Sequence, residues 1–272
     1  MKPLNFIFMG TPDIAAETLQ ALFDAGYVPK LIITGPDRPV GRGMIMTPPP
    51  VKSWAIENNI PYIQPEKITD DIITQVADMQ PDLSIVVAYG KILPEKIIIT
   101  PNKGTLNIHY SLLPRWRGAS PVESVILHGD TITGVTIQSM VYKLDAGDVM
   151  AHNETIIHPD ETTPQLRSRL SVCGSDLLID TLDHLDERLA GKIPQDPELV
   201  TTCGKIKKTD GHVNYDDNPN ELYRKWRAYQ PWPGIFYFDA NGKRVKITEM
   251  KVINSVPRIT KIIPEGGKEI GF

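Results

Sequence analysis

N-F-I-F-M-G-T-P-D-I-A-A-E-T-L-Q-A-L-F-D-A-G-Y-V-P-K-L-I-I-T, residues Asn5–Thr34, sets the fold class. Asn5 to Phe8 is a short apolar strand that ends at Met9-Gly10. Thr11-Pro12-Asp13 then caps a helix predicted from about Ile14 to Ala25, with Gly26 as its stop. Leu19, Leu22 and Phe23 recur at helical spacing and form its core face. Val28 to Thr34 is the next strand. A strand–helix–strand opening implies a parallel sheet covered by helices. The glycine at the first turn invites a dinucleotide reading, but G-T-P-D-I-A lacks the glycines of G-x-G-x-x-G, so a nicotinamide cofactor is rejected.

Working forward, Gly35–Pro50 holds three glycines, five prolines and two arginines in 16 residues, which predicts a long loop with neither helix nor sheet. Ordered loops of that length are usually functional. Val51 to Asn59 reads as a helix, Tyr62-Ile63 as a short strand and Asp70 to Met79 as another helix. Leu83 to Val87, L-S-I-V-V, carries no charge and reads as a buried central strand, ending at A-Y-G-K-I-L-P.

The next strand carries the chemistry. In L-N-I-H-Y-S-L-L-P-R-W-R-G, Leu106–Gly118, Leu106 and Ile108 take one face while Asn107 and His109 share the other. Pro114 stops the strand. The polar pair therefore sits at a strand's C-terminal end, where open α/β sheets place their ligands. Asn donates to an oxygen that becomes negative, and His moves a proton near neutral pH. An isolated N-x-H equally suits the polar edge of an ordinary strand. The continuation, dense in proline and arginine, is an unusual composition for a plain surface loop.

That segment resembles the signature of the 10-formyltetrahydrofolate-dependent formyltransferases, in which N-x-H is followed by S-L-L-P-x-x-R-G and later by L-D-x-G, present here as Leu144-Asp145-Ala146-Gly147. The resemblance implies that Asn107, His109 and Asp145 are the catalytic group. It implies that Ser111, Leu112, Leu113 and Pro114 contact the folate, and that the loop with Tyr89, Gly90, Ile92 and Leu93 lies along the pterin. P-D-R-P-x-G-R-G resembles the loop of the branch of that family that formylates methionyl-tRNA, where basic residues reach the acceptor stem. Arg38, Arg42 and Lys52 match that pattern, while Met44-Ile45-Met46 stands where lysines are expected.

Beyond the motif, Pro121 opens a helix to about His128. Gly134–Met140 and Val149–Ile157 read as strands, and a long amphipathic helix is predicted from about Thr163 to Ala190. Residues 191–199, rich in proline, are expected to be a linker. Residues 200–272 then form a second domain: a basic G-K-I-K-K with Lys205, Lys207 and Lys208, a helix over Glu221–Tyr229, and three strands with Asn241-Gly242 as a hairpin turn. R-A-x-x-P-W-P-G resembles the C-terminal module of the same branch, an oligonucleotide-binding type of barrel, here with few strands.

The 272 residues carry a net charge of −4, distributed unevenly. Residues 205–272 contain 13 Lys/Arg and 8 Asp/Glu, an excess of +5, which leaves 16 and 25, or −9, on the rest. A basic module on an acidic body suits a polyanionic partner, and suits a solvated surface as well. Cys173 and Cys203 are isolated, so a reducing cytoplasm is expected, and no His/Cys spacing suggests a metal. No stretch has the length and apolarity of a membrane span or secretory signal.

The expected architecture is thus α/β: a Rossmann-like, open, mostly parallel sheet over residues 1–190, the formyltransferase fold, followed by a small β-rich domain resembling an oligonucleotide-binding fold. The function implied is formyl transfer from 10-formyltetrahydrofolate to initiator methionyl-tRNA, in a monomer. Formylation of an amino sugar nucleotide, or hydrolysis of the formyl donor, would use the same residues.

Overall fold

The computed structural model describes residues 2–41 and 43–272. In chain order, β1 (Phe6–Gly10), α1 (Asp13–Asp24) and β2 (Leu31–Ile33) form the opening unit. β3 (Arg38–Val40) and β4 (Ile45–Thr47) follow, then α2 (Pro50–Glu57), β5 (Tyr62–Ile63), α3 (Asp70–Asp78) and β6 (Leu83–Val87). α4 (Glu95–Ile99), β7 (Thr105–His109), β8 (Arg117–Gly118), α5 (Pro121–His128), β9 (Ile132–Ser139) and β10 (Val149–Ile156) continue the chain. It ends with α6 (Thr163–Asp183), α7 (Leu185–Ala190), β11 (Thr202–Cys203), α8 (Pro219–Ala228), β12 (Ile235–Phe238), β13 (Arg244–Ile253), β14 (Val256–Pro264) and β15 (Ile270–Gly271).

The main sheet has seven strands in the order β10-β9-β7-β6-β1-β2-β5. β1 pairs in parallel with β2 and β6, β2 with β5, and β6 with β7, whereas β7 and β9 run antiparallel. Every residue of β1 and β6 is buried, as a parallel sheet covered on both faces requires. α1 lies close because Gly10 has no side chain: a Cβ there would come within 2.7 Å of Ala15 Cβ and 2.9 Å of the Val87 carbonyl. Leu19 and Leu22 are fully buried beneath α1. Truncating a β6 side chain such as Ile85 to alanine would cost about 2–5 kcal/mol.

Two compact units share the chain. The first comprises Met1–Pro114, Gly134–Asn153 and Leu170–Val200; the second comprises Arg115–Thr133, Glu154–Arg169 and Thr201–Phe272. Beyond the segment expected after residue 200, the second unit draws in Arg115–Thr133 and Glu154–Arg169. The second unit joins β8 to β11 in parallel and packs α5 on α8. Its sheet is antiparallel in the order β12-β13-β14-β15 and bulges near Glu249. Within it, Arg169 clamps the Glu161 carboxylate through Nε and Nη2 at 2.8 and 2.9 Å, Arg227 donates to the Glu161 carbonyl at 3.2 Å, and Tyr223 donates to Asp160 at 2.9 Å.

Two other expectations change. Gly35–Pro50 is not strand-free: β3 and β4 pair as an antiparallel ribbon with Val40 opposite Ile45. The helix expected over 163–190 breaks at His184. The structure also adds a short helix, α4, directly after the turn at residues 88–94.

Candidate active site

β7 delivers the polar pair as its alternation requires. His109 is 5 % exposed and Asn107 half-buried. Across the antiparallel pair, Asn107 stands opposite Gln138 and His109 opposite Thr136. Directly opposed residues share a face, so four polar side chains meet on one side of the sheet. Thr136 ties down the chain after β7. Its hydroxyl donates to the Ser111 carbonyl at 2.7 Å and accepts from the Leu113 amide at 3.1 Å.

Asp145 arrives on the turn after β9. Its Oδ1 is 3.7 Å from His109 Nδ1, with side-chain exposures of 11 % and 6 %. That separation is an ion-pair distance rather than a hydrogen bond. Asp145 has φ 47°, the left-handed region, which Asp tolerates better than most residues but still at a cost of about 1–2 kcal/mol. Gln138 supports the turn twice: Nε2 donates to Asp145 Oδ1 at 3.1 Å, and Oε1 accepts from the Gly147 amide at 3.2 Å. Gln195 Nε2 donates to the carbonyls of Asp145 and Gly147 at 2.9 and 2.6 Å. Gly147 is required sterically, since a Cβ there would lie 1.8 Å from the Ser139 carbonyl oxygen. The aspartate and glycine of L-D-x-G thus have separate jobs, one facing the histidine and one permitting the close return of the chain.

The expected folate contacts divide by environment. Ser111 is fully buried, while Leu112, Leu113 and Pro114 are half-buried and offer apolar surface. Ile92 is 88 % exposed. Tyr89 and Leu93 instead pack into the core cluster with Ile7, Ile33 and Ile97, and burial pushes the Tyr89 phenol up to about 12. The Tyr89 carbonyl accepts from Thr11 Oγ1 at 3.1 Å, and Gly90 is exposed with φ 78°.

Among the expected tRNA contacts, Lys205, Lys207 and Lys208 are exposed. Arg38 pairs with Glu66 at 2.8 Å on an open surface. Lys52 does not reach outward; it is held by Asp37 with its side chain 17 % exposed. Arg42 lies outside the described residues.

Sequence reading missed Thr136, Gln138 and Gln195. The alternation V-T-I-Q-S puts Thr136 and Gln138 on one face, and matching that face to N-x-H would have found them. Gln195 carries no such signal, because it sits in a stretch read as a linker.

A family model described as formyl transferase matches residues 2–182, and one described as formyl transferase, C-terminal domain, matches residues 205–270. A methionyl-tRNA formyltransferase of Geotalea uraniireducens is 43 % identical over 248 residues, covering 91 % of this chain and 79 % of that protein. Another, from Geobacter metallireducens, is 40 % identical over 253 residues, covering 93 % of this chain and 81 % of that protein. Among solved structures, a sugar N-formyltransferase from a Shewanella species superposes with TM-score 0.68 at 17 % identity, covering 91 % of this chain and 98 % of that one. HypX from Aquifex aeolicus in complex with tetrahydrofolic acid superposes with TM-score 0.66 at 15 % identity, covering 99 % of this chain and 46 % of that one. At such identities the structural likeness speaks for the fold alone.

Proposed function

This chain belongs to the methionyl-tRNA formyltransferase family of formyl transferases, and we propose that it moves a formyl group from N10 of 10-formyltetrahydrofolate to the α-amine of methionine on initiator tRNA. The observation that carries this reading is the 3.7 Å approach of Asp145 to a buried His109, with Asn107 on the same strand face.

An α-amine titrates near roughly 7.7–8.0, so part of it is neutral at cellular pH and needs no strong base before attack. The harder requirements are charge on the formyl oxygen and departure of N10 as an amine. Asn107 and protonated His109 donate to that oxygen. Asp145 orients the imidazole and favours its charged form. As N10 departs, His109 gives its proton to N10, directly or through water, and takes one in return from the attacking nitrogen. Leu112, Leu113, Pro114 and Ile92 supply apolar surface suited to a flat pterin, while Tyr89 and Leu93 act from the core by shaping the loop. The donor's formyl carbon is the electrophile; this chain's residues bind, orient and move protons.

In this reading residues 1–190 are the catalytic domain, 191–199 the connection and 200–272 the tRNA-binding domain. Lys205, Lys207 and Lys208, with Arg42 and with Arg38 of the β3–β4 ribbon, contact tRNA phosphates, and Lys52 acts indirectly by fixing Asp37. The enzyme works in the cytoplasm as a monomer.

The test is incubation with 10-formyltetrahydrofolate and charged initiator tRNA, beside an amino sugar nucleotide and buffer alone. Formylmethionyl-tRNA is expected. Formylation of the sugar, or release of formate with no transfer to tRNA, would overturn the reading.

A further inference from the structure

We infer that Gln138 and Gln195 are positioning residues that hold Asp145 against His109, so that the stretch of chain after α7 forms part of the catalytic machinery. The inference rests on the formyl-transfer reading of the site.

Asp145 occupies an unfavourable backbone state, φ 47°, on an otherwise exposed turn: Tyr142, Lys143 and Leu144 before it are all exposed. Little apolar packing is available to fix the turn, so hydrogen bonds must. Gln138 is 2 % exposed and bonds at both ends of its amide, one end to the Asp145 carboxylate and the other to the Gly147 amide. This geometry fixes the amide's orientation, since a flipped Gln138 would set its oxygen against the carboxylate and its NH₂ against an N–H. Gln195 approaches from the far end of the unit and bridges the carbonyls of Asp145 and Gly147 with one nitrogen. Its own segment is anchored by the reciprocal Val149–Ile193 backbone bridge at 2.8 Å. The two glutamines therefore grip side chain and backbone of the same turn from opposite ends of the chain segment. Neither contacts the reacting atoms; each acts through Asp145.

The experiment uses the full-length chain carrying Gln138→Met, Gln138→Glu or Gln195→Leu, each alone and combined with Asp145→Ala. A reacting group displaced by about an ångström loses roughly 10²-fold in rate. Each single variant is accordingly expected to lower kcat for formyl transfer by about 10²-fold, with KM for the formyl donor changed by less than about twofold. In the Asp145→Ala background the same substitutions are expected to cost no more than about twofold further, because their only route to catalysis is gone. Gly147 amide hydrogen exchange supplies a readout independent of activity. It should quicken in Gln138→Met, which loses the acceptor, and stay slow in Gln138→Glu, which keeps it. Unchanged kcat in the single variants, a full loss repeated in the Asp145→Ala background, or Gly147 exchange unaltered in Gln138→Met would each overturn the inference. A wild-type protein that fails to formylate methionyl-tRNA would sink the functional reading alone, and Gly147 exchange would still decide whether the clamp exists.

Discussion

Asp37 grips Lys52 through both carboxylate oxygens, at 2.8 and 2.7 Å, and its Oδ1 also accepts from Gln64 at 2.8 Å. The Lys52 hydrogen bond, reinforced by that of Gln64, holds the Asp37 carboxyl below its ordinary 3.8. A lysine matched this closely to a carboxylate is a poor candidate for releasing counterions from a phosphate. Lys52→Met should leave the salt dependence of tRNA binding unchanged and lower the thermal midpoint at neutral pH. The sign follows from linkage: a depressed carboxyl adds stability above its unfolded value, and that stability fades as pH falls through the folded one. The melting difference between variant and wild type should therefore shrink from about pH 4 downward. A flattened salt slope with an unaltered midpoint would return Lys52 to the RNA surface.

His109 is the residue on which turnover should depend most directly. His109→Ala should slow formyl transfer by roughly 10²–10³-fold and leave donor affinity nearly intact, because its donation matters chiefly once charge develops. Single-turnover rates and equilibrium binding of the folate separate the two effects. Wild-type turnover in this variant would remove the imidazole from the mechanism.

Gly147 makes a steric prediction. Since an added Cβ would meet the Ser139 carbonyl at 1.8 Å, Gly147→Ala must push the chain off its return path and carry Asp145 with it. Melting and kinetics together should show a destabilisation of about 1–3 kcal/mol and a loss of kcat larger than that folding defect explains. Normal activity in a stably folded Gly147→Ala would show that the turn has a second usable path.

Lys205, Lys207 and Lys208 are exposed, so replacing all three with alanine should hardly move the melting midpoint. On the proposed tRNA interface, binding of charged tRNA should weaken, and its log–log salt slope should flatten by about 0.7–0.9 for each phosphate that is no longer neutralised. Titrations at several salt concentrations measure this. An unaltered slope would take these lysines out of the interface.

How much of this the sequence disclosed depends on how local the signal was. Leu83–Val87 was legible because small Ser84 is its only polar residue, and a strand buried on both faces has little room for larger polar side chains. Asn107 and His109 were legible because period-two alternation puts them together without any tertiary knowledge. The β3–β4 ribbon was not, since proline and glycine mask a hairpin whose stability comes from cross-strand pairing such as Val40 with Ile45. Tyr89 and Leu93 belong to a loop expected to lie along the pterin yet point into the core, a matter of side-chain direction that spacing alone does not give. Gln195 needed the fold itself, being 50 positions from the aspartate it holds.

The interleaving of the second unit bears on any attempt to build hybrids of this enzyme. Residues 200–272 look like a detachable module, but β11 closes on β8 through Thr202–Arg117 and Cys203–Gly118, and α8 lies on α5. A chimaera cut at residue 200 would leave Arg117–Gly118 an orphan edge and uncover α5, while the incoming module would arrive without its own helix and strand to sit on. Exchanging the second unit between relatives therefore calls for a three-piece exchange, Arg115–Thr133 and Glu154–Arg169 travelling with the C-terminal segment. One of the splice points then falls directly after Pro114, at the end of the loop proposed to face the folate, so the graft carries that junction to the edge of the proposed site.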